Sequence, residues 1–215
     1  MRPLWRLATR NFHRVALLLL ILSSTGCAGS TNAQRHTPTA TSPGPYGADW
    51  AMLESVPLHL PRLTPGTACP VTPGQSNISP SYPLVAGAGP VYLASQEQIG
   101  IVHLRDPGSL DAGSPWKISK QFWQVSSRYR GPAIIRGHQI DGDQSLQFNG
   151  GLGQTTENAQ GTEPLLPELR LAGDGQTWQT VLSFVRAQTA GCYGAQVDGN
   201  GFSEVIIFTA LTSPA

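Results

Sequence analysis

The chain has 215 residues, with 14 Lys and Arg against 13 Asp and Glu, and it is rich in glycine and proline (24 and 18). A near-neutral chain without a basic stripe argues against nucleic acid as a partner. Sparse charge with frequent Gly and Pro disfavours long helices and fits short strands joined by turns.

The first segment carries Arg2, Arg6, Arg10 and Arg14 and no acid, followed by the apolar run Val15-Ala16-Leu17-Leu18-Leu19-Leu20-Ile21-Leu22 and then small residues. That order of basic, apolar and small residues is an export signal, and the apolar run falls short of the ~20 residues that span a bilayer. Residues 1–26 are therefore read as a signal peptide. The tetrapeptide Ser24-Thr25-Gly26-Cys27 resembles the bacterial lipobox, usually Leu-(Ala/Ser)-(Gly/Ala)-Cys, with Ser24 where Leu is usual. The resemblance implies that Cys27 receives a thioether-linked diacylglycerol and becomes the N-terminus. Two acyl chains give stable anchoring where one is marginal. The alternatives are an uncleaved signal anchor, or a cleaved signal followed by an incidental cysteine. The expected location is the extracytoplasmic side of the cell membrane, with the membrane as partner through the lipid. Removing the four signal arginines leaves ten basic residues against thirteen acidic ones, a net charge of about −3.

Residues 27–48 hold Ser, Thr, Pro, Gly and Asn and too little apolar surface to order themselves, so they read as a disordered tether. The folded domain is expected over 49–215. Its first part, 49–68, has Pro57, Pro61 and Pro65 and reads as an irregular arm with one helical turn at Trp50–Glu54. Cys69 and Cys192 are an even pair in an exported chain and read as a disulfide; two buried free thiols are the alternative. Prolines 70, 73, 80, 83 and 90 restrict the next stretch to short or edge strands.

From Val91 the pattern sharpens. Val91–Ala94 and Ile99–Leu104 are strand candidates, the second ended by Asp106-Pro107-Gly108. Residues 120–126 alternate, with Trp123 and Val125 on one side. Ala133–Ile140 is the next strand, and Asp141-Gly142-Asp143 is a hairpin-type turn that sends Leu146 and Phe148 inward. Asn149–Gly161 is polar loop, Leu165–Leu171 a strand. Residues 178–187 fit either a helix or a strand; short length and flanking glycines favour the strand. Gly191–Val197 and Phe202–Leu211 form a final hairpin around Asp198-Gly199-Asn200-Gly201, and the second of these is apolar on both faces, as a strand covered on both sides should be.

The spacing of strands and turns predicts an all-β fold, an antiparallel sandwich. The segments Trp123…Tyr129-Arg130-Gly131-Pro132-Ala133-Ile134-Ile135-Arg136-Gly137, Gly191-Cys192-Tyr193-Gly194-Ala195-Gln196-Val197-Asp198-Gly199 and Phe202-Ser203-Glu204-Val205-Ile206-Ile207-Phe208 are similar to uncharacterised bacterial exported lipoproteins with an immunoglobulin-like sandwich. The resemblance covers about the C-terminal half and implies fold and location, with no activity to carry over. One departure has a consequence. In antibody domains a Tyr stands two residues before the Cys of the penultimate strand, whereas Tyr193 directly follows Cys192. If Tyr193, Ala195 and Val197 face the core, Cys192 faces out, and its bridge fastens the N-terminal arm instead of joining the sheets.

Chemistry-bearing patterns are weak. His138 with Asp141 and Asp143 is the nearest approach to a metal site, although Asp and Gly belong in such turns for conformational reasons. None of His36, His59, His103 and His138 has zinc-ligand spacing. There is no Gly-x-Ser-x-Gly elbow, no phosphate loop and no dinucleotide fingerprint. A glycosidase pair would have to draw on Glu163 and Glu168. Trp116, Trp123, Tyr129 and Trp178 are either core packing or a sugar-stacking platform, with Trp123 the best core candidate and Trp116 the most exposed. The expectation is a non-catalytic binding or structural protein of the envelope, without a cofactor. A carbohydrate-binding module and an envelope hydrolase are the alternatives.

Overall fold

The structure is a computed structural model that describes residues 47–64, 66–95, 98–108, 113–152 and 165–212. The expected signal, Cys27, most of the expected tether and residues 153–164, with Glu163 among them, lie outside the described residues. A helix, α1 (Gly47–Glu54), is followed by eleven strands: β1 (Gly74–Ser76), β2 (Leu84–Ala86), β3 (Val91–Ser95), β4 (Ile101–Leu104), β5 (Lys117–Val125), β6 (Arg130–Gln139), β7 (Gln147–Gly150), β8 (Leu169–Asp174), β9 (Gln179–Ala187), β10 (Gly191–Gly199) and β11 (Phe202–Thr212).

The strands form two sheets, ordered β1-β2-β3-β5-β9-β7 and β4-β11-β10-β6-β8. The named strand pairs are antiparallel, apart from β4, which runs parallel to β11. The chain is thus all-β, as its composition and turn spacing require. Period-two alternation places one face of each sheet in a shared core: Leu93, Trp123, Val125, Phe148 and Val185 from the first, and Leu104, Ile135, Leu171, Tyr193, Val197, Ile206 and Phe208 from the second. Trp123 is fully enclosed, and its indole N–H donates to Ser183 Oγ at 3.0 Å, which satisfies the donor that burial would otherwise strand.

Residues 178–187 resolve as a strand: β9 is nine residues long and central, between β5 and β7. The helical spacing of its apolar residues was incidental, because burial on both faces removes clean alternation. The strand expected at 165–171 begins only at Leu169; Leu166 makes one isolated bridge to Phe148, and Pro167 lacks the N–H to continue a ladder. In β11 the inner residues Ile206, Phe208 and Ala210 are buried, but Val205 and Ile207 are only half-buried. The outer cover of β11 is partial: Thr72 lies along it, its N–H donating to Ile207 O at 2.9 Å and its Oγ1 accepting from Ile207 N at 2.8 Å. Helix α1 is longer than the single turn expected and starts within the predicted tether, at Gly47.

The arm lies on the outer face of β6, β10 and β11. Cys69 and Cys192 are bridged, with Cα atoms 5.5 Å apart. Tyr193, Ala195 and Val197 face the core, so Cys192 faces out and the bridge fastens the arm. A side chain at Gly194 would meet Leu60 at 3.0 Å, which explains why the position beneath the arm carries none.

Candidate functional site

The outer face under the arm is polar yet buried. Gln196 and Asp198 are 0 % and 1 % exposed, which is tolerable only with full hydrogen bonding. Asp198 accepts from Arg136 Nη2 and Ser203 Oγ, both at 2.7 Å. Gln196 Oε1 accepts from His59 N at 2.6 Å, and its Nε2 donates to Pro57 O at 3.0 Å. Arg136 also donates to Val56 O and Glu54 O. Arg170 holds the helix end, pairing with Glu54 and lying over the Trp50 ring at 5.3 Å. These groups bind the arm's own backbone, while the buried Arg136 Nε has no hydrogen-bond partner among the described residues.

The residues singled out for metal binding are dispersed into local contacts. Both Asp141 oxygens accept from Cys192 N at 3.0 Å. Asp143 pairs at 3.5 Å with Arg62 across open solvent, and His138 Nδ1 engages Gln139 O at 2.7 Å. Among the described residues no three His, Cys, Asp or Glu side chains converge on a metal position. Glu168 accepts from Arg170 Nε at 2.7 Å and so serves the arm clamp as well. Among the aromatics, Trp123 and Tyr129 are buried, while Trp116 and Trp178 are half-buried. Trp116, expected to be the exposed one, is thus more open than Trp123 and Tyr129, and two buried rings cannot serve as a surface platform.

Two features were not anticipated. The first is Glu204. On β11 it shares the inward parity of Phe202 and Ile206 and reaches the turn between β2 and β3, where Ala88 N donates to it. Gly87 admits it: a Cβ there would lie 3.1 Å from Glu204 Oε2, and the backbone φ of +118° excludes most other residues. Burial pushes the carboxyl up to about 7, against the downward pull of the Ala88 and Gly89 amides. Tyr92, raised by burial and by the charge of Glu204, packs tilted on Trp178 at 6.1 Å beside it.

The second is a cleft of about 400 Å³ where the chain passes from β3 in one sheet to β4 in the other. Its apolar surface comes from Ile99, Ile101 and Phe122, and its polar surface includes His103, Arg105 and Lys120. Strands β4 and β5 belong to different sheets and meet at the bridge between Arg105 and Ile118, with the cleft beside it. Gly100 O accepts from Thr209 N, so strand alternation turns the N–H groups of Ile101 and His103 to the other edge of β4, toward the cleft. Gln121 Nε2 donates to Ser119 Oγ at 2.9 Å on the wall, and Lys120 Nζ stands 5.2 Å from the centre of the Phe122 ring. The nearby Asp106 is engaged with Lys117 at 2.7 Å.

Glu204 was legible in principle, as a carboxylate at a core parity in an otherwise apolar strand. The cleft was not, because its basic residues come from two strands whose pairing the sequence does not encode locally.

No protein-family model matches the chain, and no curated protein matches it. Among solved structures, a family 123 glycoside hydrolase from Clostridium perfringens, reported in a study of glycolipid glycan hydrolysis, aligns with 9% identity and a TM-score of 0.27. The alignment covers 55% of this chain and 24% of that one. The chain therefore spans about a quarter of that protein's length, and a likeness at this score bears on neither fold nor activity.

Proposed function

We propose that this chain is an exported, lipid-anchored domain with an immunoglobulin-like sandwich and a non-catalytic binding or structural role at the cell envelope. The observation that carries the reading is the Cys69–Cys192 bridge. Disulfides persist in oxidising compartments, in agreement with the export pattern ahead of Cys27. The pairing also leaves Cys27 as the cysteine available for lipid. The immunoglobulin-like assignment is supported by Tyr193, whose Oη donates to Thr189 O, four residues upstream, at 2.9 Å. A tyrosine corner makes a similar bond back to the backbone a few residues upstream, although its Tyr stands two residues before the Cys and Tyr193 directly follows Cys192. Replacing Cys27 by Ser is expected to move the protein from the membrane fraction to the soluble extracytoplasmic fraction; unchanged membrane retention counts against the anchor.

A hydrolase is the second reading, and Glu204 is the observation that favours it. A carboxyl holding its proton near neutral pH is the form a general acid needs. Turnover of an envelope polysaccharide or peptide that disappears in Glu204→Gln would establish it and displace the non-catalytic role.

A further inference from the structure

We infer that the cleft between β3, β4 and β5 binds small organic anions, a carboxylate or phosphate group joined to an apolar body. The inference deepens the binding role proposed above by naming a ligand class. Three cationic or protonatable side chains, His103, Arg105 and Lys120, line the cleft, and no carboxylate is among its described lining residues. None of the three makes an ion pair among the described residues. Lining groups of one sign in a concave site focus their field and favour a ligand of the opposite charge.

The volume suits a small molecule. Arg105 supplies a planar fork that matches carboxylate and phosphate oxygens, and Lys120 supplies a mobile point charge held near Phe122. The N–H groups of Ile101 and His103, on the open edge of β4, are additional donors to an anion. The Ser119 hydroxyl accepts from Gln121 and keeps its own proton to donate. Beside these polar groups, Ile99, Ile101 and Phe122 give an apolar ligand body a surface to cover.

The test is calorimetric titration of the full chain, purified in detergent, with phenyl phosphate and benzoate, and with benzyl alcohol as the uncharged control. Saturable binding of the two anions, absent for benzyl alcohol and weakened by added salt, is expected. The Arg105→Gln/Lys120→Gln double variant should weaken it by about tenfold or more with an unchanged thermal midpoint. A lipid headgroup and a free phosphate share this chemistry. Displacement of phenyl phosphate by short-chain phosphatidylglycerol but not by phosphatidylcholine would support the site with a headgroup as its source, and displacement by inorganic phosphate alone would support it with a soluble anion. No saturable binding, equal binding of benzyl alcohol, or undiminished binding by the double variant would overturn the site and leave the anchor and envelope role standing. Release of phenol during the titration would support the site and count against the non-catalytic reading.

Discussion

Glu204 and Asp174 pull stability in opposite directions along the pH axis. Glu204 is raised from 4.5 to about 7, so the folded protein holds a proton there that the unfolded chain has already lost. Stability from this group is fully present below about pH 4.5 and falls as pH rises to about 7. Discounted for the part of the carboxyl open to water, the loss is about 1–2 kcal/mol. Glu204→Gln removes the titration. Its melting temperature should match the parent's near pH 4.5 and exceed it at pH 8 by about 3–6 °C; parallel profiles for the two proteins would show that Glu204 is not desolvated. Asp174 behaves in the opposite sense. Its carboxylate accepts from Gln176 N, Thr177 N and Thr177 Oγ1 at 2.7–2.9 Å, and these bonds hold it well below the usual carboxylate range. Its contribution is present above the unfolded value and is lost only in strong acid.

The arm is the element whose attachment is least ordinary. Helix α1 is short, with Met52 exposed and Leu53 buried, so propensity does not hold it in place. Backbone carbonyls of residues 54, 56 and 57 are met by Arg136 and Gln196, and the bridge at Cys69 closes the far end. Gln196→Ala removes an acceptor for His59 N and a donor to Pro57 O, bonds between a buried side chain and exposed arm residues. It should cost about 0.5–1.5 kcal/mol in urea unfolding. Amide exchange should rise across the arm residues 54–63 while the core strands stay protected. Exchange unchanged in the arm would mean that the bridge and Arg136 suffice.

Across the whole molecule the bridge links residues 123 apart. The chain-entropy model assigns such a loop about 5 kcal/mol. The Cys69→Ser/Cys192→Ser variant should therefore lose about 2–5 kcal/mol in denaturant unfolding while retaining its far-UV β signature, because the shared core contains no cysteine. An unfolded double variant would show that the arm is required for the sheets themselves.

Much of the architecture was legible from local patterns. Trp123 and Val125 alternate with polar neighbours, Asp141-Gly142-Asp143 marks a turn, and Tyr193 beside Cys192 places one inward and the other outward. These are period-two and turn-chemistry effects that a few neighbouring residues settle. The adjacency of Tyr193 and Cys192 was enough to foresee that the bridge fastens the arm. What only the tertiary structure decided is everything that depends on which strands meet. The parallel pairing of β4 with β11, the assembly of Arg105 and Lys120 around one cleft, and the desolvation of Glu204 against a turn of the opposite sheet arise from contacts between segments far apart in sequence. No local periodicity records such contacts.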